Sequence, residues 1–189
     1  MNKKFVLIIG AFTVTVPGFF LFSYLYLGVF SGVERSDKQN FSAVVYAGEH
    51  RGDYNKTGEQ VVKTQRLLQS FAMPCEPVLI YFDSAITVGK PYLKSAGGCI
   101  TEKNIPPHVL TALNRENRIP VKIHIEAGYK FSVYAQTAIA LRKVWTEIAR
   151  VTDSGKEVKY PLVQVVHESG QNDFFIGAVN PESSRPSRP

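Results

Sequence analysis

Val121-Lys122-Ile123-His124-Ile125-Glu126 alternates apolar with polar residues, and after Ala127-Gly128 the alternation resumes through Tyr129, Phe131 and Val133. A period of two sends one side-chain set into a core and the other into water, so this stretch predicts two strands joined by a turn at Ala127-Gly128. Just downstream, Leu141, Val144, Trp145 and Ile148 fall at i, i+3, i+4 and i+7. That spacing is one face of a helix, which Asp153-Ser154-Gly155 should end. Leu162 to His167 and Phe174 to Val179 read as two closing strands.

The same order lies upstream. Phe41 to Ala47 is an apolar, β-prone run broken by the turn residues His50-Arg51-Gly52-Asp53-Tyr54-Asn55. A helix should follow, because Thr57 and Gln60 have capping-box spacing and Val61, Leu67, Leu68 and Phe71 can share a face before Pro74. Val78-Leu79-Ile80-Tyr81-Phe82 is continuously apolar, which suits a strand covered on both faces, and Gly97 to Thr101 suits a short further strand. Strand, helix, strand, strand therefore occurs twice, offset by about 80 residues. The expected fold class is α+β, built from duplicated β-α-β-β units whose half-sheets enclose a cleft. Residues 41–179 form this domain, with Pro106 to Asn117 as a connecting helix, residues 31–40 as a polar linker and residues 180–189 as a disordered tail.

From Phe5 to Phe30 no residue is charged. At about 1.5 Å per helical residue the stretch can cross a hydrocarbon core of roughly 30 Å, so one transmembrane helix is expected over residues 5–30, behind a basic flank at 1–4. The lipid bilayer becomes a partner and the chain a single-pass membrane protein. Lys3 and Lys4 weigh against Arg35 and Lys38, which favours the soluble domain on the extracytoplasmic side.

Composition narrows the rest. The chain has 189 residues, 44% hydrophobic and 20% charged, too apolar for a disordered chain. The formal charge is +6, but no dense Lys/Arg run occurs, so no nucleic-acid partner is expected. Two cysteines, Cys75 and Cys99, exclude a disulfide scaffold and leave open whether they pair. His50, His108, His124 and His167 lack metal-ligand spacing, and no Gly-Lys-Ser/Thr loop or Cys-x-x-Cys occurs, so neither metal nor cofactor is expected. Arg51-Gly52-Asp53 is accounted for by the turn it sits in.

Aromatic rings with a polar tip are what drug-sized pockets use, which singles out Tyr54, Tyr81, Tyr134 and Trp145, with core packing as the alternative, above all for Trp145 on its helical stripe. Gln164 stands among valines, and a buried amide needs hydrogen-bond partners.

His50-x-Gly52-x-Tyr54-x-x-Thr57-Gly58, Ile80-Tyr81-Phe82-Asp83 and Gly32-Val33-Glu34 after the apolar stretch resemble the GyrI-like (DNA gyrase inhibitor-like) small-molecule-binding family. The resemblance spans about Gly32 to Val179 and includes Trp145. It implies paired β-α-β-β units of the SHS2 type with a ligand cleft between them. In that family a Glu in the next-to-last strand often meets a cationic ligand. The matching stretch here is Leu162-Val163-Gln164-Val165-Val166, with Gln164 in the place of the acid. The resulting expectation is a noncatalytic, membrane-anchored sensor that binds a small hydrophobic or weakly polar molecule or peptide through Tyr54, Tyr81, Tyr134, Trp145 and Gln164. The alternatives are a membrane adaptor without a small ligand and a GyrI-like hydrolase, for which Glu49, Asp83, Glu126 or Glu168 would have to serve as base.

Overall fold

A computed structural model describes residues 20–101 and 105–178. Six strands, β1 (Glu34–Arg51), β2 (Glu76–Tyr81), β3 (Lys94–Ile100), β4 (Ile119–Tyr134), β5 (Val158–Val166) and β6 (Gln171–Ala178), pair antiparallel in the order β1-β3-β2-β5-β6-β4, and β4 returns to β1. The helices among the described residues are α1 (residues 20–26), α2 (Thr57–Gln69), α3 (Pro107–Arg115) and α4 (Thr137–Asp153).

The pleat explains the layering. In β2, Val78 and Ile80 join Val45, Ala96, Ile123 and Val163 in a core inside the closed sheet. Their neighbours Leu79 and Tyr81 point the other way, into a second core with Leu141, Val144 and Ile148 of α4. Covered on both faces, β2 has no reason to alternate. A third cluster, Leu68, Cys99, Val109 and Leu113, lies between α2, β3 and α3 and surrounds the Cys75–Cys99 disulfide, whose Cα atoms are 5.1 Å apart. Gly97 lets α2 approach β3, because a Cβ there would fall 2.5 Å from the Thr57 carbonyl oxygen.

Several expectations are corrected. The fold is a mixed α/β fold with one antiparallel sheet that closes on itself, in place of two half-sheets behind a transmembrane helix. Among the described residues no helix is long and apolar enough to cross a membrane, so the single-pass anchor over residues 5–30 is unsupported. Residues 5–19 of that stretch lie outside the described residues, as do the basic flank 1–4 and the tail 180–189. In the remainder, α1 stops at residue 26, and Gly28, in the left-handed region at φ 70°, turns the chain toward β1. The stretch expected as a linker at 31–40 is largely strand. β1 begins at Glu34, pairs Glu34 with Ser132, and keeps its polar side chains in water.

Ala127-Gly128 reverses no chain direction. β4 runs through it, and Ala127 adopts φ 48° with its N–H donated to Asn40 Oδ1 at 2.8 Å. The irregularity exchanges the buried face: Ile123 and Ile125 belong to the core inside the sheet, whereas Tyr129, Phe131 and Val133 belong to the core under α4. The capping box also fails to form. Thr57 is buried and its hydroxyl meets Ser95 Oγ at 2.7 Å, while Gln60 Oε1 accepts from Arg118.

Candidate functional site

β2 and β5 pair in the register Leu79 with Gln164 and Tyr81 with Leu162. Over this pair lie α2 on one side and the first turns of α4 on the other, and between them a cleft of about 540 Å³ opens. Its floor is Pro77, Leu79 and Tyr81 of β2 with Val166 of β5, and its walls include Val61 of α2 and Leu141 of α4. Tyr54, in a 3-10 turn (Tyr54–Lys56) leading into α2, places its ring 4.8 Å from that of Tyr81 at 56°. Among the described residues that line the cleft none carries a formal charge; the polar ones are the two tyrosines, Asn55, Gln65 and Thr137.

Both phenols have their protons committed. Tyr54 donates to the Asp83 carbonyl at 2.7 Å, and burial, only partly offset by the hydrogen bonding to Asp83, pushes its hydroxyl up to about 12. Tyr81 donates to Gln164 Oε1 at 2.8 Å, and burial followed by the nearby Tyr54 phenol raises it well above the ordinary tyrosine range. Gln164 passes the order on: its Nε2 donates to Asn172 Oδ1 at 2.8 Å, and Asn172 Nδ2 donates to the Ala135 carbonyl at 2.7 Å. The last acceptor is a backbone carbonyl, which has no proton to give, so the direction of every bond in the chain is set.

The structure brings Tyr54, Tyr81 and Gln164 together, with Gln164 fully buried behind Tyr81 instead of on the cleft surface. It leaves Trp145 and Tyr134 apart. Trp145 is half-buried and stacks on Tyr160 with ring centroids 5.9 Å apart. Tyr134 is 57% exposed and lines a separate depression with Leu25, Tyr26 and Gln136. Asn172 escaped the sequence reading because Gln171-Asn172-Asp173 looks like a polar turn before Phe174; the available signal was that a strand one turn earlier would bury Asn172 on the same face as Phe174 and Ile176.

A separate polar cluster uses the opposite face of β6. Burial alone would raise the Asp173 carboxyl, but donors from Ser132, Lys130, Gln171 and His167 prevail and hold it at about 2. Ser132 Oγ donates at 2.7 Å, Lys130 Nζ at 2.9 Å and Gln171 Nε2 at 2.9 Å, with His167 Nε2 at 3.0 Å, while the other His167 nitrogen lies 3.4 Å from Glu76.

No family model and no curated protein matches the chain. Solved structures similar to it include an integron cassette protein from the mobile metagenome of Vibrio cholerae, at 8% identity and TM-score 0.43, covering 78% of this chain and 96% of that one. A hydrolase from Listeria innocua is similar at 10% identity and TM-score 0.41, covering 78% and 91%. An uncharacterized conserved protein from Listeria innocua is similar at 7% identity and TM-score 0.44, covering 78% and 92%.

Proposed function

We propose that this chain is a noncatalytic binding module of the GyrI-like kind, whose cleft takes a small, uncharged, largely hydrophobic molecule and serves as its sensor. The observation that carries the reading is the chemistry of the cleft: an apolar floor, two aromatic rings, and no charged residue among the described ones that line it. An organic cation entering such a site loses its hydration without a carboxylate to offset the loss, whereas a neutral ring loses little and gains apolar contact. The phenols favour binding over hydrolysis, because burial pushes both upward and leaves neither as a base near neutral pH.

The test compares Nile red, an uncharged fluorophore, with a lipophilic cation such as tetraphenylphosphonium, by fluorescence and calorimetry on the full chain. The wild type should prefer the neutral dye. Gln65→Glu, which puts a carboxylate on the cleft wall, should shift the balance toward the cation by about 1 kcal/mol. A wild type that prefers the cation overturns the reading, as does a Gln65→Glu variant with an unchanged preference.

A further inference from the structure

The first turns of α4 wall the cleft through Thr137, Ala138 and Leu141, yet α4 begins without a side-chain cap. What holds its start is the segment between α1 and β1. The Gln136 N–H donates to the Leu27 carbonyl at 3.2 Å. Lys143, on the second turn of α4, donates from Nζ to the Gly28 carbonyl at 2.8 Å and also to that of Ser31. Between these anchors Gly28 is buried against the corner that joins β4 to α4: a Cβ there would fall 2.3 Å from the Tyr134 carbonyl oxygen and 2.6 Å from Ala135 Cα. Only glycine, already in the left-handed region, permits that approach.

The cleft floor reaches the same corner by a second route. The hydrogen bonds that start at the Tyr81 hydroxyl and pass through Gln164 and Asn172 end on the Ala135 carbonyl, against whose residue Gly28 packs. Tyr81, Gln164 and Asn172 are each at most 1% exposed, so a displaced Ala135 would strand a buried polar group.

We propose that residues 27–31 are a positioning element of the cleft: docked on the corner at Tyr134–Gln136, they hold the first turns of α4 where a ligand meets them, and ligand binding and docking of this segment favour one another. Such coupling is reciprocal, so each event must strengthen the other by the same factor. The ligand half of the proposal rests on the cleft reading above; the docking half does not.

The experiment is hydrogen exchange on the full chain for wild type, Lys143→Met and Lys143→Arg, with Nile red titrations on each. Lys143→Met should speed exchange in residues 27–31 and in residues 137–143 together, by about fivefold or more, and weaken Nile red by a similar factor. Exchange in β3 should stay unchanged, Lys143→Arg should restore both effects, and the dye should slow exchange in residues 27–31 of the wild type. Faster exchange in residues 27–31 with residues 137–143 unmoved reduces the segment to a tether and overturns the proposal, as does no change in either. If Nile red fails to bind the wild type, the cleft reading falls, while the exchange comparison still decides whether the segment positions α4. If Lys143→Met does not fold, Gly28→Ala gives the same comparison with every side chain of α4 intact.

Discussion

The Tyr81 hydroxyl donates to Gln164 Oε1 at 2.8 Å, across the paired strands that floor the cleft, and both residues are essentially removed from solvent. The bond makes the floor self-contained, since the phenol proton and the amide oxygen satisfy each other and the amide nitrogen is taken by Asn172. A ligand over Tyr81 thus meets a ring whose polar end is already in use.

That arrangement predicts non-additive mutational costs. Tyr81→Phe leaves Gln164 Oε1 buried and unpartnered and should cost about 1 to 3 kcal/mol, while Gln164→Leu strands both the phenol and Asn172 Oδ1 and should cost more. The double variant should recover part of the sum, because the Tyr81 hydroxyl and the Gln164 amide vanish together. Urea denaturation of the four proteins gives the coupling directly. Simple additivity would mean that the hydroxyl and the amide do not depend on each other.

The Cys75–Cys99 disulfide ties the residue just before β2 to β3 over a sequence separation of 24. A loop of that size, closed in the unfolded chain, corresponds to roughly 3 kcal/mol of stabilisation. Cys75→Ala with Cys99→Ala, or reduction of the wild type, should therefore lower the urea midpoint markedly. The α2–β3–α3 cluster around Cys99 should show the largest rise in hydrogen exchange. An unchanged midpoint on reduction, with the free thiols verified by labelling, would show that the cross-link contributes nothing.

Elements were legible in the sequence wherever one face is buried and the other wet. Leu141, Val144 and Ile148 mark α4 and are buried in it, and Val78 to Tyr81 mark a strand covered twice. The partner of each strand edge was not legible, because hydrogen bonds between backbones leave no trace in side-chain pattern. Glu34 to Asn40 shows the difficulty: its side chains are polar and solvated, yet its backbone pairs with β4. The swap of faces at Ala127 was hidden for a related reason, since the apolar residues keep their odd numbering while the direction they point is reversed. At the cleft, Gln164 stood out as an amide among valines and Tyr54 and Tyr81 as rings beside turn residues. Thr137 and Ala138 carried no such signal, because they reach the cleft only through the way α4 packs.

The last prediction concerns acid. Asp173 is held at about 2, below its ordinary value of 3.8, because four donors, two on β4, one on β6 and His167 just after β5, satisfy its ionised form against the opposing effect of burial. The groups that face this cluster are Lys130 and Ser132 from β4, His167 just after β5, Gln171 beside it on β6, and Glu76 of β2 on the far side of His167. A depressed carboxyl binds protons less readily when folded than when unfolded. Its contribution to stability is therefore complete above the unfolded value near 4, and it is lost as pH falls through that value toward about 2. Urea midpoints measured between pH 2 and pH 7 should fall across the lower part of this range. Asp173→Asn should be less stable than wild type at pH 7, because Lys130 loses its counter-charge, and should show a visibly flatter acid limb. Glu126→Gln, which alters an exposed carboxylate paired with exposed His124, supplies the comparison and should leave that limb nearly as steep as in wild type. An acid limb equally steep in wild type and Asp173→Asn would show that the acid sensitivity of the fold arises elsewhere.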